Sequence, residues 1–489
     1  MQKNNTNKSQ LLIILLIFVI AFTSRLILLD LRPLHHDESV NEYFLSNLIN
    51  SNYYKYNPDN YHGPFLYYIT LPFTFLKTTE ITLRLPQALF GALLCLLPFL
   101  IKTISKKAKI ISCIFLMLSP SLFYYSRYAI HEIFFTFFTF LAIVSLINLS
   151  TKKSKKIWIY GLIISLFLAY SNKETAIING FCIAITLIAM LFSKEKRENI
   201  KANLTSEKNK HLPSKHILFA LLLAILIHIT LFSSFFSNPY GILDSIIGPF
   251  NWKTRTQEHA KPIYYFVEIL LKFELPIILL SVVFCFYSAQ QLIKTNKKYS
   301  SAYILIFGIL LLTTYSIISY KTPWLIISSV SILALSSGIF LSFIKSKKLL
   351  LALFFLCITY LTIQLVMTSF INPANDNKNP FSYVHTDINL KQNLGFITKN
   401  DIQIEIIGEG ADYWPLPYYL KRNIISYKNT DEFINSIQDS FDKDILIKEQ
   451  DYEKIKDTIF EKYKASQNKT IKIRSGSTYI FLRLEKNPS

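Results

Sequence analysis

Charge is scarce along this chain. Only 17% of its 489 residues are Asp, Glu, Lys or Arg, where soluble globular proteins carry about a quarter, and that shortage excludes an ordinary soluble domain. Cysteine is equally thin. The five residues, Cys95, Cys113, Cys182, Cys285 and Cys357, all lie inside apolar runs, so no disulfide framework is implied and packing is their default role. No glycine-rich nucleotide-binding loop occurs anywhere, and nothing in the sequence is built to cradle a nucleotide phosphate. A small-residue cleavage site is also lacking after the first apolar run, whose end carries Arg25 instead. That run reads as a signal anchor rather than a removable signal peptide. There is no internal repeat.

Apolar residues take the place of charge: 51% of the chain is hydrophobic and 15% aromatic. Stretches 11–29, 83–101, 110–125, 133–149, 157–170, 175–192, 217–236, 275–293, 302–318, 323–344 and 349–370 are each nearly uncharged, and most approach the length of about 20 residues that spans a bilayer. This pattern predicts an α-helical polytopic membrane protein with about eleven transmembrane helices. The net charge of +20 would fit a nucleic-acid binder, but the lysines gather in alternate loops: Lys102, Lys106, Lys107 and Lys109, then Lys152, Lys153, Lys155 and Lys156, and on through 194–215, 294–298 and 345–348. That set holds roughly twenty-three Lys and Arg against roughly eleven in the opposite set, which places the N-terminus in the cytoplasm of a plasma-membrane protein. An odd number of spans then puts the C-terminus outside. The basic excess is a topology signal and a contact with anionic membrane lipids, with no nucleic-acid partner.

The outer loops carry the acids, among them Asp37, Glu38, Glu42, Glu132, Glu174, Asp244, Glu258 and Glu268. Two of these loops, 30–82 and 238–262, are too long to be passive connections. In the first, Val40, Tyr43, Phe44 and Leu48 recur at helical spacing after Ser39, whose pairing with Glu42 predicts a capping box and an amphipathic surface helix. A second short helix is expected over 264–273, ahead of Pro276. After a membrane domain of residues 1–370, composition turns polar. Runs 403–407 and 478–484 alternate as strands, while 431–440 and 452–463 read as helices. Residues 371–489 are therefore expected to form a small extracytoplasmic α/β domain. The Lys- and Asn-rich segment 194–215 reads as a cytoplasmic linker.

Five polar clusters fall on the predicted outer face. His35-His36-Asp37-Glu38 places two carboxylates beside two imidazoles, as a general base or metal site needs, although acids there also favour a helix N-terminus. Tyr61-His62-Gly63-Pro64-Phe65-Leu66-Tyr67-Tyr68 adds a histidine to an aromatic belt. Ser126-Arg127-Tyr128-Ala129-Ile130-His131-Glu132 and Asn172-Lys173-Glu174-Thr175 follow, then Tyr320-Lys321-Thr322-Pro323-Trp324. Arg127, Lys173 and Lys321 suit a phosphate, or else snorkel as helix-end cations.

These motifs, with Arg84-Leu85-Pro86 opening the second span, resemble the GT-C membrane glycosyltransferases, which include protein O-mannosyltransferases and the lipid A aminoarabinose transferase. His35-His36-Asp37-Glu38-Ser39, Tyr320-Lys321-Thr322-Pro323-Trp324 and Tyr413-Trp414-Pro415-Leu416-Pro417-Tyr418-Tyr419-Leu420 are similar to the flippase-activity-associated proteins of archaeal and bacterial surface glycosylation. The resemblance implies an inverting transfer of a sugar from a polyprenyl-phosphate donor to an extracytoplasmic acceptor. By motif position Asp37 is the base, with Glu38 beside it, and Glu132 is the second acid, Glu where the family commonly has Asp. Arg84, Arg127, Lys173 and Lys321 would bind the donor phosphate. His36, His62, Tyr67, His131, Glu174, Trp324 and Trp414 would contact substrate. Some relatives use a divalent metal, for which His35, His36, Asp37 and His62 are candidate ligands.

A competing expectation is a non-catalytic accessory or gate for flipping lipid-linked sugars, in which Tyr413, Trp414, Tyr418 and Tyr419 bind sugar and Asp37 has no chemical task. A secondary transporter fits less well, since such proteins carry inverted repeats and midplane ionisable groups. The one polar residue deep in a span is His228, expected to be packed or hydrogen-bonded.

Overall fold

The computed structural model describes residues 2–58, 62–205, 213–251, 259–295, 300–409, 412–436 and 444–486. The chain forms two compact units, one of Met1–Leu29 with Asn47–Ile371 and one of Asp30–Ser46 with Asn372–Ser489.

The first unit is helical. Its helices are α1 (Gln2–Leu26), the end of α2 (His36–Ser51), α3 (Phe65–Thr74), α4 (Glu80–Leu96), α5 (Lys106–Leu118), α6 (Pro120–Tyr125), α7 (Glu132–Leu149), α8 (Ile157–Asn172), α9 (Ala176–Leu191), α10 (Lys194–Leu204), α11 (Lys215–Phe232), α12 (Tyr240–Asn251), α13 (Tyr265–Phe273), α14 (Leu275–Thr295), α15 (Ser300–Ile317), α16 (Ile327–Ser342) and α17 (Lys347–Val366). Each of the eleven apolar runs overlaps at least one of them, and the run 110–125 overlaps two, α5 and α6. Six segments are long and apolar enough to cross a membrane, or eight when two sharply bent helix pairs each count as one span. The protein is a multi-pass membrane protein.

Burial separates these helices by role. Glu132–Leu149 and Pro323–Ser342 are 89% buried, whereas Lys8–Leu26, Lys215–Phe232 and Lys347–Ile371 are 17% buried. The first pair is the protein core. The other three expose apolar side chains that only lipid can cover, because water contact would cost about 25 cal/mol per Å². Serines cross the core in α16 without orphaned hydroxyls: Ser336 Oγ donates to the Ile332 carbonyl and Ser337 Oγ to the Ile277 carbonyl at 2.8 Å. Gly338 lets α5 approach so closely that a Cβ there would stand 2.3 Å from Ser112 Oγ.

Two helix breaks are tied together. Ser119 separates α5 from α6, which starts at Pro120, and Glu274 separates α13 from α14, which bend by 107°. The fully buried Glu274 collects Ser119 Oγ at 2.7 Å, the Ser121 amide at 2.9 Å and Ser121 Oγ at 2.6 Å on its Oε1. The short helix expected before Pro276 is thus present as α13. Segment 194–215, expected as a linker, differs: its first half is α10, anchored by Asn203, whose amide donates to the carbonyls of Leu149 and Thr151 at 2.8 Å each. Residues 206–212 lie outside the described residues, as do Tyr61 and the 252–258 part of the second long loop. His228 is packed as expected, its ring 4.5 Å from that of Phe232 and its Nε2 3.1 Å from Ser245 Oγ. The five cysteines are free, four of them buried and Cys285 exposed.

The second unit is α/β. Helices α18 (Leu390–Lys399), α19 (Leu416–Tyr419), α20 (Thr430–Ser436) and α21 (Glu449–Lys462) accompany strands β1 (Ile404–Ile407), β2 (Ile424–Lys428), β3 (Asp444–Lys448), β4 (Tyr463–Arg474) and β5 (Ser477–Lys486). The sheet order is β2-β1-β3-β5-β4, with β1 parallel to both neighbours and β5 antiparallel to both of its own. Alternation divides the core: Ile404, Ile406, Leu446 and Phe481 pack on one face, and Ile407, Ile445, Ile447 and Leu482 on the other. β1, β5, α20 and α21 were legible as periodic runs.

Residues 30–46 belong to this unit because their backbone is stitched into it. Leu34 donates its amide to Tyr419 Oη at 2.7 Å and accepts Thr386 Oγ on its carbonyl at 2.7 Å. Helix α2 begins at His36, a turn earlier than a Ser39 cap requires. Ser39 already donates its amide to the His35 carbonyl, and Glu38 Oε2 takes the His35 amide at 3.0 Å. The expected Ser39–Glu42 capping box therefore does not form, and Glu42 instead accepts from Ser46 Oγ at 2.6 Å.

Candidate active site

In the second unit the first turn of α2 presents one carboxylate and buries the other. Asp37 has 38% side-chain exposure, while Glu38 is fully buried as the cap just described. His35 Nδ1 accepts the Asp37 amide at 3.1 Å, and its Nε2 lies 3.1 Å from the Tyr383 carbonyl. An acceptor on one ring nitrogen and a carbonyl on the other assign the proton to Nε2. Burial lowers the pKa of His35, and it pushes His36 down to about 4 even though Asp37 pulls the other way. Both shifts favour the neutral imidazole.

His36 faces the C-terminal part of this unit. Its Nδ1 is 3.4 Å from Arg474 Nη1, and its ring meets Trp414 edge-on at 6.4 Å. Arg474 also donates to the Trp414 carbonyl at 3.0 Å and pairs with Asp412, which Lys448 reaches at 2.9 Å. Burial acts to raise the Asp412 pKa, but these two cations hold it below its ordinary value.

In the first unit a second polar cluster forms where α7 starts and α8 ends. Lys173 Nζ and Glu132 Oε1 meet at 2.6 Å, both side chains less than a tenth exposed. Asn172 donates to the His131 carbonyl at 2.8 Å, and the His131 ring lies 4.5 Å from His62 and 5.9 Å from Tyr67. Tyr56 Oη donates to Glu174 Oε1 at 2.6 Å. Burial pushes the Glu174 carboxyl up to about 7 and, with His62 and Lys173 adding to it, holds His131 well below its usual range. Three stretches far apart in sequence converge here: Tyr56, His62 and Tyr67, then 131–132, then 172–174.

The four expected phosphate cations are all buried rather than snorkelling. Lys173 has Glu132 as counterion. Lys321 Nζ donates to the carbonyls of Lys261, at 3.0 Å, and Ile318. Arg84 reaches the Leu29 carbonyl at 2.9 Å, and Arg127 reaches those of Ile27 and Leu28 at 2.7 and 2.6 Å. Two guanidinium groups thus cover carbonyls in the turn that follows α1, just beyond the C-terminal end of the helix dipole, which favours cations. Trp324 is buried beside Tyr125, the rings 6.2 Å apart.

Among the described residues no group of three or more His, Cys, Asp or Glu side chains is arranged to hold a metal. Sequence reasoning missed Tyr43, Tyr56, Asp412 and Arg474. Only their partners mark them, and those lie far away in the chain. It also passed over Arg25, read there only as an interruption. Arg25 is buried with its Nε on Ser126 Oγ at 2.8 Å.

Residues 44–239 match the family model of the dolichyl-phosphate-mannose-protein mannosyltransferases. No curated protein matches the chain in sequence. Solved structures do match along nearly all of it. The structure of ArnT from Cupriavidus metallidurans in the apo state aligns with a TM-score of 0.66 at 11% identity, covering 97% of this chain and 98% of that one. The fold is that of the GT-C membrane glycosyltransferases. The same ArnT bound to undecaprenyl phosphate aligns at 0.64 and 12%, with the same coverage. The Archaeoglobus fulgidus oligosaccharyltransferase in complex with Zn and sulfate aligns at 0.50 and 13%, covering 88% of this chain and 68% of that one. In GT-C terms the Glu132–Lys173 pair lies within the part that matches the mannosyltransferase model, and Asp37 lies seven residues before that part begins at residue 44.

Proposed function

We propose that the protein is a membrane glycosyltransferase that moves a sugar from a polyprenyl-phosphate donor to an acceptor outside the cytoplasm, by inversion, with Asp37 as general base. The observation that carries this reading is a GT-C fold matched over 97% of the chain to a protein whose structure is bound to undecaprenyl phosphate. Asp37 accepts the proton of the acceptor hydroxyl as its oxygen bonds to the anomeric carbon. The bond from that carbon to the phosphate oxygen breaks, and the polyprenyl phosphate leaves with both electrons. Glu38, bound to the His35 amide, sets the start of the helix that carries Asp37.

The leaving phosphate gains charge, and Arg84, Arg127, Lys173 and Lys321 are the proposed cations for it. Each already has a protein partner, so donor binding competes with or extends those contacts. Glu132 is proposed to hold Lys173 in place. His62, Tyr67, His131 and Glu174 are proposed to contact substrate. The N-terminus is read as cytoplasmic and the C-terminal residues as extracytoplasmic, because the lysine-rich loops alternate.

The test is a deletion strain complemented with wild-type or Asp37→Asn protein and profiled for surface glycans and glycolipids. Wild type restores a missing glycoform. Asp37→Asn, present at equal abundance, restores none, as expected for loss of a base that contributes about 10²–10⁴-fold. Full restoration by Asp37→Asn, with or without Glu38→Gln, would favour the gating role instead.

A further inference from the structure

Four aromatic side chains of the second unit make a continuous ledge whose Tyr43 end shares α2 with Asp37. Tyr43 lies six positions along α2, about 9 Å of helix rise from Asp37, and its ring meets Trp414 edge-on at 5.8 Å. Trp414 neighbours Tyr413 at 5.6 Å, and Tyr413 leans on Tyr427 of the edge strand β2 at 4.7 Å. The two ends are open, with Tyr43 48% and Tyr427 45% exposed. Burying such rings in the unit's own core would be the ordinary outcome, and here the outer ones stay in solvent.

We infer that this ledge is the acceptor-binding surface and that the acceptor is a saccharide; the inference rests on the transferase reading above. Aromatic faces receive the C–H face of a sugar ring, and the polar groups at the ledge's border supply what hydroxyls need: Asp412 as acceptor, Arg474 and Lys448 as donors, and neutral His36 as either. The charges there balance, Asp37 and Asp412 against Arg474 and Lys448, with Asp412 already paired to both cations. A balanced border disfavours a strongly charged ligand and suits a neutral polyhydroxylated one. Apolar platforms with a few fixed polar groups are also how proteins orient small ligands generally. Because Tyr43 and Asp37 share α2, the Tyr43 end of the ledge is held at a fixed distance from the proposed base.

The experiment places full-length protein in lipid nanodiscs on an array of bacterial oligosaccharides that also carries a Ser- and Thr-rich peptide. At least one oligosaccharide binds the wild type. Trp414→Ala and Tyr43→Ala each weaken that binding about tenfold or more, while Trp414→Phe, which keeps a ring, retains most of it at an unchanged unfolding temperature. Asp37→Asn binds as wild type does and loses only transfer, so failure of the catalytic reading shows in transfer and failure of the ledge shows in binding. Absence of oligosaccharide binding, binding indifferent to both alanine variants, or Trp414-dependent capture of the peptide alone would overturn the saccharide assignment.

Discussion

Gly63 lies against Ser171 with no room for a side chain: a Cβ built on it would stand 2.1 Å from the Ser171 carbonyl oxygen. Its amide donates to the Asn172 carbonyl at 3.2 Å, so the loop that carries His62 is clamped to the end of α8. Gly63→Ala must push backbone from backbone, and is expected to destabilise the protein by about 1–3 kcal/mol. Thermal unfolding in detergent measures the loss. Transfer activity should fall further than stability does, because the His62 ring shifts away from His131.

The Glu132–Lys173 pair should behave as a buried ion pair. Glu132→Gln or Lys173→Met alone leaves a charge without its partner at less than a tenth exposure, a loss of about 3–5 kcal/mol. The double variant should be markedly more stable than the sum of the single losses implies. A double-mutant cycle on denaturant unfolding checks this; additive losses would mean that the two groups do not interact energetically.

Stability should also depend on pH through Glu174. Its carboxyl has an ordinary value of 4.5 and is raised to about 7 by burial in the folded protein. The folded state therefore holds this proton more tightly than the unfolded chain does. That stabilisation is complete below about pH 4.5 and is lost as pH rises toward about 7, on the order of 3 kcal/mol. Unfolding free energy measured across this window should fall for the wild type, and the Glu174→Gln variant should lack this component.

Glu274 offers a contrast between shape and bonding. Glu274→Gln keeps the Oε1 acceptor that receives three donors from Ser119 and Ser121. Glu274→Ala leaves those buried donors without it, at about 1–3 kcal/mol for each one left unsatisfied. Chemical denaturation should rank the alanine variant well below the glutamine variant.

Much of the fold was legible because membrane helices advertise themselves locally, through length, hydropathy and alternating lysine loops. The C-terminal unit was legible as α/β for a similar reason: β1 and β5 alternate visibly. The unseen part is long-range. Lys173 and Glu132 each stood out as single polar residues, but nothing in either motif names the other as its partner. Arg127 read as a phosphate cation or a snorkelling side chain and Arg84 as a phosphate cation, and their buried bonds to the carbonyls of Ile27, Leu28 and Leu29 have no sequence signal. The start of α2 was misplaced by a turn because Glu38 competes with Ser39 for the capping role, and a general capping rule favours the hydroxyl.

The stitching of residues 30–46 to the C-terminal segment sets a schedule for the protein's birth. Chain synthesis runs from the N-terminus, so Asp37 emerges early, while Thr386, Tyr419 and Arg474, which fasten its segment and its neighbour His36, are made only after the whole membrane portion. The candidate base therefore waits for these contacts until the residues that follow the membrane portion have been made. A nascent chain cut short before its tail would carry every residue of the α2 turn and still lack the frame that holds it.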